Sequence, residues 1–251
     1  MGKNHQRMAA FAVSLASLGL VSCMGISPSA FYEQQEVQRY QVIDHALQAN
    51  VMIFYGKQGG SGVLYSKNGK QYVLTAAHNL LDPVDEECLI ANSITHGTQK
   101  AIVIGVNQVN NIEFSASGKC VFIDTMVDFA ILELEGTNHE IKNSEFHFGD
   151  TRIGDRVFTV GNSALDINTV ATGIVQHGKR ISMHGDGQVE YIQTDCAGGV
   201  GLSGGGLYRE IDGKCIGIVV MKNERSQSLY AVPIKKIREV IVNSERKDVC
   251  P

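Results

Sequence analysis

Thr194 to Tyr208 reads TDCAGGVGLSGGGLY, and six of the nine residues from Gly198 to Gly206 are glycine, gathered around one serine, Ser203. Glycine costs backbone entropy, so a plain strand or helix does not select so many. A loop that needs positive φ, or that brings its backbone close to a ligand, does. A nucleophilic serine needs both: a turn that projects its hydroxyl, and N–H groups free to face a developing oxyanion. The bland alternative is a Gly-rich hairpin turn holding an incidental serine. A base and an orienting acid elsewhere in the chain separate the two readings.

The base candidate is His78, which ends Tyr72-Val73-Leu74-Thr75-Ala76-Ala77-His78. It follows a strand directly, and Ala76 and Ala77 are small enough to let the chain turn sharply. Gly59–Leu64, GGSGVL, precedes it at hairpin distance. The other histidines lack such a setting. The acid candidate is Asp128, at the mouth of the mostly apolar strand Ala130–Leu134. A carboxylate there is partly buried and needs a partner. A turn-capping role is its alternative, and Asp124 is the fallback acid.

These residues must be positioned by β structure. Strands are expected at Val51–Tyr55, Gly62–Tyr65, Tyr72–Leu74, Cys88–Ile94, Ala101–Val106, Val121–Ile123, Ala130–Leu134, Val157–Val160, Thr169–Gln176, Val189–Gln193, Cys215–Met221 and Leu229–Val232. Lys67-Asn68-Gly69-Lys70 is a hairpin signal, and Gly185-Asp186-Gly187 is another. Many short strands with frequent turns make this an all-β chain, barrel or sandwich, rather than alternating β-α units. Helical spacing appears twice. Glu33–Ala49 carries Val37, Tyr40, Ile43 and Leu47, expected to cap the core. Pro233–Asn243 places Ile234, Ile237, Val240 and Ile241 on one face.

The 251 residues are 43% hydrophobic and 19% charged, an ordinary globular composition. From Cys23 onward 20 basic residues face 26 acidic ones, a net −6, with no basic run. That argues against nucleic-acid binding. No cluster has metal-ligand spacing, and no cofactor is expected. Residues 1–22 have the form of an export signal, with Lys3 and Arg7 ahead of the apolar run Ala9–Val21, which is short for a bilayer span. The run ends Leu20-Val21-Ser22-Cys23, which resembles the lipobox of bacterial lipoproteins. In that family the cysteine takes a diacylglycerol and becomes the new N-terminus, so Cys23 would be a lipidation site. Ordinary cleavage, near Ala30, is the alternative. Both place the protein outside the cytoplasm, periplasmic or at the cell surface.

Leu-Thr-Ala-Ala-His, Asp-Phe-Ala-Ile-Leu and Gly-Leu-Ser-Gly-Gly, in that order, resemble the trypsin-fold serine proteases, and among them the HtrA-like bacterial branch. Thr194-Asp195, the helix before the β region and the closing Tyr-Ala-Val-Pro are similar to that branch. The resemblance runs from about Val42 to the C-terminal helix. It implies two antiparallel six-stranded β-barrels (chymotrypsin-like) with an N-terminal and a C-terminal helix. The layout would be a signal at 1–22, a tether at 23–32, helix and first barrel at 33–140, and second barrel and helix at 141–251. His78 would take the proton of Ser203, Asp128 would orient the imidazole, and Ser203 would form an acyl-enzyme with protein or peptide substrates. The N–H groups of Gly201 and Ser203 would form the oxyanion hole. The strand Ile218–Lys222, with Val220 and Lys222, would pair with substrate, and Ser228 would line a P1 pocket for a small or aliphatic side chain.

The departures carry expectations too. Leu202 stands where digestive relatives have an aspartate, so no zymogen-type N-terminal insertion is expected. No PDZ domain is expected after the helix, and Gly206 stands where the family usually has a proline after Ser-Gly-Gly. Besides Cys23 there are five cysteines, and Cys88–Cys120 and Cys196–Cys215 are candidate disulfides of an exported chain. A catalytically silent, membrane-tethered peptide-binding relative is the rival reading. An esterase of another fold is disfavoured, because an apolar strand pattern follows Gly201–Gly205 and no histidine lies downstream of Ser203.

Overall fold

The computed structural model describes residues 28–81, 100–106, 112–136, 141–163, 166–184, 187–244 and 247–251. The export signal, Cys23, Cys88 and the strand expected at Cys88–Ile94 lie outside them. The chain divides into two compact units, Met1–Val42 and Ile43–Pro251. Helix α1, Pro28–Gln48, crosses that division and begins inside the stretch expected to be a tether. Val37 and Tyr40, expected to cap a core, are 54% and 69% exposed, so that part of the anticipated apolar face is not buried.

In the second unit, six strands close into an antiparallel barrel. They are β1 (Asn50–Tyr55), β2 (Gln58–Lys67), β3 (Lys70–Thr75), β4 (Lys100–Val106), β5 (Ile112–Asp124) and β6 (Phe129–Glu135), in the order β1-β2-β3-β6-β5-β4. The second barrel uses β7 (Arg156–Gly161), β8 (Thr169–His184), β9 (Gly187–Thr194), β10 (Gly206–Arg209), β11 (Cys215–Asn223) and β12 (Ser228–Pro233), in the order β10-β11-β12-β9-β8-β7. The fold is therefore the two-barrel, chymotrypsin-like one. Closure removes the free edges that an open sheet would expose.

Local chemistry explains the register. Lys67 pairs with Lys70 across a two-residue turn in which Asn68 and Gly69 have φ of 51° and 75°. Both central residues need positive φ, which Asn-Gly tolerates and which matches strand twist. Inward-facing Val51, Ile53, Leu64, Val73 and Leu132 fill the first barrel. Val157, Val175, Ile192, Leu207 and Ile216 fill the second. Each fully buried aliphatic side chain of this kind contributes about 1.5–3 kcal/mol. Pro233 caps helix α2, Ile234–Val242, which buries Ile234, Ile237 and Ile241, while Val240 is only half-buried.

Three features differ from the sequence reading. β5 and β8 run far beyond the expected Val121–Ile123 and Thr169–Gln176, because their polar halves are held by neighbours: Ser117 pairs with both Ile102 and Glu135, and Arg180 pairs with Tyr191. Strand propensity is largely a statement about such neighbours. β10 was hidden because it opens on Gly206. Finally, Cys196 and Cys215 do not form the expected disulfide; Cys196, Cys215 and Cys250 are buried free thiols. Each of the two is engaged locally, Cys196 Sγ accepting from Thr194 Oγ1 at 3.1 Å and Cys215 Sγ donating to Gly217 O at 3.4 Å. Burial pushes their pKa values up to about 11 and about 12, so both stay protonated.

Candidate active site

His78 sits in a single 3₁₀ turn, Ala77–Leu80, directly after β3. Ala76, Ala77 and Leu80 are fully buried, so the turn is seated on the first barrel. The imidazole meets Asp128: His78 Nδ1 lies 2.8 Å from Asp128 Oδ2, and the His78 backbone N–H donates to Asp128 Oδ1 at 3.0 Å. The two contacts use both carboxylate oxygens and fix the ring relative to its own peptide. With Nδ1–H donating, Nε2 is left as the acceptor.

Asp128 has φ of 67°, a left-handed conformation that aspartate tolerates better than most residues. The loop that imposes it is built by Asp124, whose Oδ1 accepts the N–H groups of Met126 at 3.0 Å and Val127 at 2.9 Å. Asp124, the fallback acid, therefore shapes the turn that delivers Asp128. Burial raises the pKa of Asp124, and those two hydrogen bonds oppose the rise.

Ser203 comes from the second barrel, and its loop is tied to the first. Its carbonyl accepts the Ser61 N–H at 2.8 Å and Asn79 Nδ2 at 2.9 Å. Asn79 follows His78 in sequence, so one residue links the peptide of the serine to the turn of the imidazole. There is no space to spare in this seam. A Cβ on Gly60 would fall 2.3 Å from Asn79 Nδ2, and one on Gly204 would fall 2.0 Å from Ser61 O. Gly204 also has φ of 86°, so glycine is required there twice over. Leu202, 2% exposed, anchors the loop in the second core by apolar burial.

Ser203 Oγ makes no hydrogen bond among the described residues. Catalytic hydrogen bonds in free enzymes are commonly long and tighten around substrate. The backbone around it is ordered by Gly204 N–H to Val219 O at 2.7 Å, Val219 N–H to Gly205 O at 2.9 Å, and Gly205 N–H to Leu202 O at 2.9 Å. The N–H groups of Gly201 and Ser203 have no acceptor among the described residues, the condition under which they can receive an oxyanion.

The remaining expected residues are placed as follows. Val220 lies at a bulge of β11 between Val219 and Met221 and is 7% exposed. Lys222 pairs with Glu224 at 3.4 Å. Ser228 is buried, its hydroxyl donating to Gln176 Oε1 at 2.9 Å and accepting from Gln193 Nε2 at 3.1 Å. Sequence reasoning passed over Ser61, Asn79 and Asn162. Ser61 lies in GGSGVL and Asn79 directly follows His78, but nothing local says that their partners are in the other barrel.

A cavity of about 280 Å³ lies elsewhere, on the second barrel and α2. None of His78, Asp128 and Ser203 lines it. Its Lys179, Lys235 and Lys236 are balanced by Asp150, Glu190 and Glu239. Among the described residues no group of three or more His, Cys, Asp or Glu could hold a metal ion.

The signature of the trypsin-like peptidase domain matches residues 60–218. The chain is 30% identical over 194 residues to a putative protease Do-like 14 of Arabidopsis thaliana, covering 75% of this chain and 42% of that protein. It is 33% identical over 171 residues to a serine protease Do-like HtrA of Bacillus subtilis, covering 65% of this chain and 33% of that one. The chain thus spans less than half the length of these curated relatives. Among solved structures, a serine endoprotease from Yersinia pestis superposes with a TM-score of 0.60 at 26% identity, covering 81% of this chain and 65% of that one. Deg5 superposes with the same score and identity, covering 82% and 91%.

Proposed function

The chain belongs to the trypsin-like peptidase family, and from that premise we propose that it is an exported serine endopeptidase working through Ser203, His78 and Asp128. The observation that carries this reading is the two-pronged Asp128–His78 contact, at 2.8 and 3.0 Å, beside a serine whose own carbonyl is tied to Asn79. His78 Nε2 takes the proton of Ser203 as Oγ attacks the scissile carbonyl. The imidazolium is stabilised by Asp128 and returns the proton to the leaving amine, giving an acyl-enzyme that water then hydrolyses by the same route. The N–H groups of Gly201 and Ser203 hold the oxyanion, each lowering the barrier by about 3 kcal/mol, the scale of one such donor. Substrate would lie along Ile218–Lys222, with Val220, Lys222 and Ser228 at its side.

The test is a fluorophosphonate probe together with unfolded casein on the folded mature chain. Labelling at Ser203 with casein fragments is expected; a folded chain showing neither overturns the reading. A silent peptide-binding relative is the rival, favoured by Ser203 Oγ having no hydrogen bond among the described residues, and it requires peptide binding without turnover.

The acid limb of the activity profile follows from His78. Burial pulls its pKa down, but the hydrogen bond to Asp128 and that carboxylate's charge together pull it up further, leaving it above the ordinary 6.5. Turnover needs neutral His78, so kcat/KM is expected to fall as pH drops through a pKa above 6.5. Stability runs the other way. The contribution of the charged pair is full below 6.5 and is lost as pH rises through the raised folded pKa. Rate and melting profiles measured over the same pH range check both signs.

Export rests on residues 1–22, and tethering rests on Cys23. One acyl signal pair at Cys23 would hold the protein to a membrane, in line with the strength of dual lipid anchors. Cys23→Ala is expected to move the protein from the membrane fraction to the soluble one; an unchanged distribution refutes the anchor.

A further inference from the structure

We infer that Ser61 is a positioning residue for catalysis: its hydroxyl sets the carbonyl of Gly201, and thereby aims the Gly201 N–H at the oxyanion. The inference rests on the proteolytic reading above. Ser61 is fully buried, and all of its polar groups are engaged, its hydroxyl and its N–H across the seam between the barrels and its carbonyl within the first barrel. Its Oγ donates to Gly201 O at 2.8 Å and accepts the Asn162 N–H at 2.6 Å. Its N–H donates to Ser203 O at 2.8 Å, and its carbonyl accepts Thr75 Oγ1 at 2.7 Å.

Gly201 needs such a tether. With φ of 96° and no side chain, its backbone has nothing but hydrogen bonds to restrain it. Its neighbours are held by other means, Leu202 by burial and the Leu202 carbonyl by the Gly205 N–H at 2.9 Å. The carbonyl of Gly201 is held by Ser61; it lies in the peptide unit after the donor's and shares the Gly201 Cα with it, so losing this hold frees the Gly201 φ and ψ and lets the N–H drift out of line. An oxyanion donor is effective only when it is fixed before the charge appears.

The tether has a rigid anchor behind it. Asn162 Nδ2 donates to Val51 O at 2.9 Å, and Asn162 Oδ1 accepts from Asn50 Nδ2 at 3.1 Å and from the Asn168 N–H at 3.1 Å. Asn168 Nδ2 in turn reaches Val106 O at 3.0 Å. This asparagine cluster clamps the two barrels, and the Ser61 hydroxyl relays that clamp to the loop of the nucleophile. A hydroxyl this buried is not replaced by water when it is removed.

The test is Ser61→Ala in the full chain, assayed on a cleavable peptide and with a peptide aldehyde, to which Ser203 Oγ adds to give a hemiacetal oxyanion. A fall in kcat of about 30-fold is expected, below the 10²–10³ for outright loss of one donor, with KM changed less than about twofold. Aldehyde affinity should fall by the same factor as kcat/KM, while the acid limb set by His78 stays in place. Ser61→Cys, close in volume but a poor donor, should show a smaller loss of the same pattern, and it stands in if the alanine variant does not fold. Unchanged kcat in a folded variant, a loss confined to KM, or a displaced acid limb overturns the inference. A wild-type chain that neither cleaves peptide nor labels at Ser203 instead overturns the proteolytic reading, and this inference with it.

Discussion

Ser203→Ala is expected to lower turnover about a million-fold while leaving the fold intact, because in the proposed mechanism Ser203, His78 and Asp128 act as one unit and removing the nucleophile removes the unit's work. The structure makes this substitution unusually clean. Ser203 Oγ has no hydrogen-bond partner among the described residues, so its loss orphans no buried group. The contacts that hold the residue run through its backbone, with Ser61 N–H and Asn79 Nδ2 on its carbonyl at 2.8 and 2.9 Å. Stability should change by less than about 0.5 kcal/mol, as for substitutions that break no buried feature. Residual activity of about 10³–10⁴ over water should persist from the oxyanion hole and substrate binding. Stopped-time assays and a melting curve on the same preparation check both halves. A rate loss under about tenfold, at unchanged stability, would mean that the nucleophile is another residue.

That Ser203, His78 and Asp128 stand out as candidates in the chain alone has a physical reason. Each sits at a strand end or in a turn whose local sequence must solve a local problem. Glycines around Ser203 provide positive φ and close approach, alanines before His78 permit the tight turn after β3, and Asp128 opens an apolar strand. The two-barrel topology, by contrast, came from family resemblance, since strand periodicity alone left a sandwich open. The residues that assemble the site were not legible. Ser61 Oγ reaches Gly201 across 140 positions and Asn79 reaches Ser203 across 124. Such contacts are chosen by the closed seam and leave no periodic trace. The free thiols of Cys196 and Cys215 make the same point in reverse, because cysteine spacing carries no information on where each sulfur is aimed.

Asp128→Asn is expected to reduce kcat roughly 10⁴-fold near neutral pH, the scale seen when a triad aspartate is neutralised with its geometry kept. The protein should still fold, because asparagine tolerates the left-handed φ of 67° at this position. What fails is the pattern of donors. Both carboxylate oxygens accept, one from the His78 backbone N–H at 3.0 Å and one from Nδ1–H at 2.8 Å. An amide can accept at only one of these places. If its oxygen keeps the backbone N–H, its NH₂ faces Nδ1 and drives the ring proton to Nε2, where it blocks acceptance of the Ser203 proton. If its oxygen keeps Nδ1–H, two donors face each other at the peptide. The same change removes both influences that raise the His78 pKa and leaves burial, which lowers it. The acid limb of the residual activity should therefore move to lower pH than in the unsubstituted chain. Imidazole proton resonances and the pH–rate profile report the two effects independently. A kcat within tenfold of the parent, or an acid limb that moves upward, would show that Asp128 does not orient His78 for catalysis.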